Sequence, residues 1–212
     1  MKNHEDVLAI VEELKKLYPK GSVRSSTPSP TSCSFPCVWP PNVPMSGSTW
    51  SLPPSLPAFP PWSLWPRPTP AEVETYIHST GFFRAKTRDI VAASRMLVEQ
   101  YGGRVPDTME ELLKLPGVGR KTANLILGDV YHTPGVVVAD THCIRITGRL
   151  GLTDGTKDPA KVEEQLRPIL PPEESNDFCH RMVLHGRAVC MARKPDCPNC
   201  TLRPWCDFYT KS

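Results

Sequence analysis

What the chain lacks narrows it first. No apolar run approaches the roughly 20 residues needed to cross a bilayer. One of the longest, Gly135-Val136-Val137-Val138-Ala139, has the length of a buried segment. The N-terminus, Met1 to Lys20, is charged throughout and has no apolar core of a secretory signal. Neither a hairpin signal nor a sustained apolar/polar alternation occurs, so a sheet is not expected. The net charge is weak as well: a formal +3 permits a nucleic-acid partner without arguing for one. The sharpest absence is local. From Ser22 to Pro70 only Arg24 and Arg67 are charged, while 14 of the 25 prolines and four of the five tryptophans fall there.

That stretch, residues 22–68, has too much proline for a helix or an interior strand. It reads as a Pro/Ser-rich linker, as a proline-rich ligand for a partner domain, or as text from another reading frame. Trp39, Trp50, Trp62 and Trp65 count against a linker, and the lack of flanking basic charge counts against a ligand.

Outside it the pattern is helical. Asn3 caps a helix over 3–18 with Val7, Leu8, Ile10, Val11, Leu14, Leu17 and Tyr18 at near-helical spacing. Thr69, Pro70 and Glu72 form a capping-box start for a helix to about His78. Further helices are expected over 85–101, after Thr108, over 120–130, over 141–150 capped by Asp140, from Asp158-Pro159, and from Ser175 or Asn176 to Cys190. The ordered part is expected to be all-α.

Three motifs carry chemistry. Cys190, Cys197, Cys200 and Cys206 are spaced C-x6-C-x2-C-x5-C within seventeen residues, close enough to surround a zinc ion or a [4Fe–4S] cluster. With eight cysteines and no signal peptide, metal binding inside the cell is favoured over a disulfide framework. Arg193 and Lys194, inside the first cysteine loop, are either a solvated pair or contacts to a phosphate backbone. Leu115-Pro116-Gly117-Val118-Gly119-Arg120-Lys121-Thr122 places two glycines in a turn before a helix, where outward amides attract phosphate. Lys121 then reads as a phosphate contact or as a nucleophile, and Asp140 as a helix cap, a catalytic carboxylate, or both. His142 and His185 have no metal-like partners at fixed spacing, and Cys143 and Cys179 read as core.

LPGVGRKTAN, VVVADTHCIRITGRLGL and LHGRAVCMARKPDCPNCTLRPWC together resemble the endonuclease III family, helix-hairpin-helix DNA glycosylases with an iron–sulfur cluster. The resemblance runs from about Thr69 to Tyr209. It implies removal of oxidised pyrimidines from duplex DNA followed by strand cleavage at the abasic site. Lys121 would attack the sugar C1′ and form a Schiff base, and Asp140 would assist it or stabilise positive charge on the sugar. Gly117, Val118, Gly119, Arg120, Arg193 and Lys194 would contact DNA. Cys190, Cys197, Cys200 and Cys206 would hold [4Fe–4S]. Reaching C1′ requires flipping the nucleotide out of the stack. Related adenine and thymine-mismatch glycosylases lack a lysine at this place, which separates them from this chain. Two alternatives stand beside this reading: a non-catalytic helix-hairpin-helix DNA-binding protein with a structural cluster, or a relative of the mismatch and adenine glycosylases.

The resemblance implies a helical barrel domain plus a cluster domain. The expected order is an N-terminal helix at 1–21 packing with the cluster domain, an irregular 22–68, a helical domain at 69–139, and C-terminal helices with the cysteines at 140–212. A monomer in the cytoplasm, associated with the nucleoid and not with a membrane, is expected. Residues 22–68 depart from the family, which has two core helices there with a pattern like L-S-A-Q-C-T-D. Shifting each codon to the last base of one residue and the first two of the next makes Trp39-Pro40 encode alanine. The following pairs then permit A-x-Q-C-T-D in register. A compensated pair of frame changes is expected, one near Lys20–Ser22 and one between about Phe59 and Pro68.

Overall fold

A computed structural model describes residues 2–19 and 69–210, and these are helical without strands. Residues 20–68, with the linker, ligand and frame-change readings placed on them, lie outside the described residues. The described residues group into two compact units, 69–126 and 2–19 with 127–210.

In the unit 69–126, helix α2 (Pro70–Ile77) starts on the expected capping box. The Thr69 hydroxyl accepts from the Glu72 N–H and the Glu72 carboxylate accepts from the Thr69 N–H at 2.7 Å, so two otherwise unpaired donors are satisfied. Val73 and Ile77 are buried, and α2 packs on α3 (Phe83–Tyr101), whose inner face carries Thr87, Ala93 and Leu97. α3 begins two residues earlier than the sequence suggests. It follows Phe82, which is left-handed at φ 58° and supplies no side-chain cap. Left-handed Gly102 ends it, with the Gly103 N–H returning to the Leu97 carbonyl at 2.9 Å. Thr108 caps α4 (Met109–Lys114), which packs against α5 (Arg120–Leu125).

In the other unit, Asn3 caps α1 (His4–Leu17) by accepting from the Asp6 N–H at 2.7 Å, and α1 buries Val7, Ile10, Val11 and Leu14. The same unit holds α6 (Thr141–Leu150), α7 (Pro159–Leu166), α8 (Ser175–Ala188) and the short α9 (Asp207–Thr210). α8 is the central packing element, in contact with both α1 and α6, and it buries Phe178, Cys179, Met182 and His185. It stops before Cys190 because the Val189 and Cys190 N–H groups both donate to the His185 carbonyl at 2.9 Å.

The expected helix over 120–130 is regular only to Leu125 and continues as a π-helical turn over Ile126–Val130. Such wide turns occur mostly as single insertions and often near functional sites. The division between units falls at Ile126/Leu127, ahead of the expected boundary at 139/140. The contacts of the Val136–Ala139 run explain the difference. This run is fully buried, the Gly135 N–H donates to the Pro172 carbonyl at 2.9 Å, and the Val138 N–H donates to the Cys179 sulfur at 3.3 Å.

Candidate functional site

The turn between α4 and α5 is built by its apolar residues. Leu112, Leu115 and Val118 are buried, and the Val118 N–H closes the turn on the Leu115 carbonyl at 3.1 Å. Gly117 is required there on two counts. Its φ is +75°, and a Cβ at this place would lie 2.7 Å from the Cβ of Asp89. Gly119 has φ −92° as the cap residue of α5, and nothing stands within 4 Å of its missing Cβ. Arg120 and Lys121 follow as the first two residues of α5, both exposed. Exposed backbone at a helix start, followed by two cationic side chains, is an arrangement that accepts a phosphate.

In the other unit, Asp140 is half-buried and caps α6, with one carboxylate oxygen accepting from the Cys143 N–H at 2.7 Å. The second oxygen is left for other work, so capping and chemistry are compatible. Cys143 and Cys179 are core residues: both are buried, and the Cys143 thiol is pushed well up by its hydrogen bond to Cys179 and by burial.

The four C-terminal cysteines come together. Cys190, Cys197, Cys200 and Cys206 line one pocket, closed on other sides by Arg149, Phe208 and Tyr209. Among the described residues, no group of three or more His, Cys, Asp or Glu side chains converges on a single-ion site. The donor set fits a thiolate-held cluster. Burial pushes the Cys200 thiol up, and the charges of Cys190, Cys206 and Cys197 add to this. Thiolates gathered in one pocket would repel one another, and a cationic cluster core would offset that repulsion. Arg193 and Lys194 are exposed in the loop between Cys190 and Cys197.

Several residues around the cysteines escaped the sequence reading. Arg149 donates to the Cys190 sulfur at 3.2 Å and to the Met191 and Ala192 carbonyls at 2.9 Å each. Its guanidinium lies 4.7 Å over the Phe208 ring. Arg145, one turn earlier on α6, donates to the Cys190 carbonyl at 3.0 Å. The i, i+4 spacing of two arginines in the expected helix over 141–150 was the available signal. His185, expected only to be a structural histidine without metal-like partners, is 1% exposed, and burial pushes its pKa down to about 4. Phe82, 89% exposed at a left-handed position, also went unnoticed. Its signal was the Gly81-Phe82-Phe83 break between two helical patterns.

Residues 60–172, just over half of the chain, match the family described as HhH-GPD superfamily base excision DNA repair protein. Endonuclease III of Synechocystis sp. is 48% identical over 135 residues, covering 64% of this chain and 61% of that protein. Endonuclease III of Thermotoga maritima is 45% identical over 142 residues, covering 67% and 66% respectively. The aligned part therefore spans about two thirds or less of these relatives. Among solved structures, a trapped endonuclease III–DNA covalent intermediate superposes with a TM-score of 0.74 at 28% identity, covering 100% of this chain and 99% of that one. A non-covalent endonuclease III–DNA complex gives the same TM-score at 27% identity.

Proposed function

Since the chain belongs to the HhH-GPD superfamily of base excision DNA repair proteins, we propose that it is a bifunctional DNA glycosylase and abasic-site lyase acting on oxidised pyrimidines in duplex DNA. The observation that carries this reading is Lys121, exposed in the first turn of the helix that leaves the glycine turn. A nucleophilic amine has to reach the sugar, and a phosphate gripped by the turn would bring the sugar to it.

In the proposed reaction the unprotonated Lys121 amine attacks C1′ of the flipped nucleotide, and the glycosidic bond breaks with its electron pair leaving on the base. The C1′–nitrogen adduct opens to a Schiff base. Removal of a proton from C2′ then expels the 3′ phosphate by β-elimination, and water releases the lysine. Asp140 stabilises the positive charge that builds on the sugar or assists the amine, from the carboxylate oxygen not engaged in capping. Gly117, Val118, Gly119 and Arg120 would hold one phosphate, and Arg193 and Lys194 others. Cys190, Cys197, Cys200 and Cys206 would hold [4Fe–4S], which when bound supplies a rigid cationic core for the loop carrying Arg193 and Lys194.

Phe82 adds a part of its own. An exposed aromatic on a strained turn suits insertion into the base stack, where an apolar wedge offsets the gap left by a flipped base.

Borohydride reduction tests the proposal, because it converts a Schiff base into a stable amine. Duplex DNA bearing a damaged pyrimidine or an abasic site should become covalently attached to the full chain, and the adduct should vanish in Lys121→Ala. An adduct that survives this substitution would remove Lys121 from the role. A second reading, a DNA-binding protein without catalysis, is favoured by one fact: residues 22–68 do not carry the family's helical pattern in frame. Duplex binding without any trapped adduct in the wild-type chain would support it.

A further inference from the structure

His185 is placed as though it belongs to the cysteine group, although it is not one of the four. It lies on α8, its main-chain carbonyl accepts from the Cys190 N–H at 2.9 Å, and its ring nitrogen Nε2 lies 3.5 Å from the Cys200 sulfur. The other ring nitrogen, Nδ1, lies 3.3 Å from the Tyr18 hydroxyl, with the two rings edge-on at 74°. Tyr18 follows the last turn of α1, and its carbonyl accepts from Arg181 Nε at 3.3 Å. Arg181 is itself buried and held by Glu174 at 3.0 Å and Asp177 at 3.3 Å. The tyrosine is therefore fixed from its backbone side as well as by its ring contact.

A buried imidazole has to satisfy both nitrogens. A phenol donates readily to an imidazole nitrogen, and a metal-bound thiolate accepts but cannot donate. Only one assignment satisfies all three groups: the Tyr18 O–H donates to Nδ1, and the proton on Nε2 points at sulfur. We propose that His185 is a positioning residue that donates its Nε2–H to the Cys200 thiolate, and that Tyr18 sets the tautomer which makes this donation possible. This rests on the reading of the four cysteines as cluster ligands.

Two consequences follow. A hydrogen bond to a ligating sulfur stabilises the more negatively charged, reduced form of a cluster, so it raises the reduction potential. The docking of α1 also becomes linked to the cluster, because the residue at its C-terminal end controls the donor.

The test uses the full chain loaded with iron and sulfide, with His185→Leu and Tyr18→Phe as variants. Iron and sulfide content, the cluster potential by redox titration of the visible absorbance, and exchangeable-proton couplings in the paramagnetic state before and after transfer to D2O are measured. His185→Leu should lose one exchangeable coupling and lower the potential, so that the oxidised-to-reduced ratio at a fixed potential rises about tenfold, equivalent to about 59 mV for one electron. Tyr18→Phe should shift the potential in the same direction by less, with full iron content. If His185→Leu fails to load iron, Tyr18→Phe decides alone. Loaded variants with wild-type potentials and couplings overturn the inference while leaving the cluster reading intact. A wild-type chain that takes up zinc and no iron overturns both.

Discussion

Gly117 and Gly119 sit two residues apart in one turn but answer to different demands. At Gly117 the backbone is left-handed and the missing Cβ is displaced by Asp89, so the fold itself requires glycine. Gly117→Ala should lower the unfolding free energy by about 1–3 kcal/mol, read as a shift in the denaturation midpoint. Gly119 has an ordinary φ and open space around it. Gly119→Ala should cost less, about 0.5–1 kcal/mol for the poorer helix cap, while a methyl at the surface proposed to meet a phosphate weakens duplex binding. Equal losses of stability in the two variants would contradict this division. Phe82 reverses the usual logic of an aromatic residue. It is exposed and held at positive φ, so Phe82→Gly should stabilise the unit by about 1 kcal/mol and weaken binding to lesion-bearing duplex. A variant that binds such DNA as tightly as the wild type would dismiss the wedge.

Among the elements, the helix starts that depend on a side chain three residues away were legible. Asn3, Thr69, Thr108 and Asp140 each accept from the N–H expected of them. What escaped depends on distant partners or on no side chain at all. The start of α3 has no cap to read, the wide turn at Ile126–Val130 has no sequence signature, and the Tyr18–His185 contact joins residues 167 apart. The gathering of the four cysteines was legible because it is written in local spacing, whereas the arginines that grip their loop were not. The wide turn also brings Asp129 to α8, where its carboxylate accepts from Asn176 at 2.8 Å and His180 at 2.7 Å. Burial pushes the Asp129 carboxyl up, but the His180 hydrogen bond and charge outweigh it and hold it below the usual range. Burial likewise pushes His180 down, and Asp129 outweighs it, leaving His180 raised. The Asp129 part is present above about pH 4 and is lost as pH falls through the lowered pKa. The His180 part is full below about pH 6.5 and is lost as pH rises through the raised one. The pair should thus help most between about pH 4 and 6.5, by no more than about 1 kcal/mol because Asp129 is 40% exposed. In His180→Gln the stability gained as Asp129 ionises and the stability lost as His180 deprotonates should both shrink, and an unchanged pH profile would show the pair to be silent.

For the molecule as a whole, the family's chemistry and the chain's text diverge at residues 22–68. Replacing this segment by its shifted-frame reading should raise borohydride-trappable activity over that of the chain as it stands. No gain would count against the frame change, as would a coding sequence whose second frame lacks the helix. Asn caps a helix as well as Asp does, so Asp140→Asn should keep α6 intact, and with it the grip of Arg145 and Arg149 on the loop around Cys190. Under the proposed reaction such a protein would still settle on damaged duplex, but without the negative charge it would stall there, covering the lesion without repairing it.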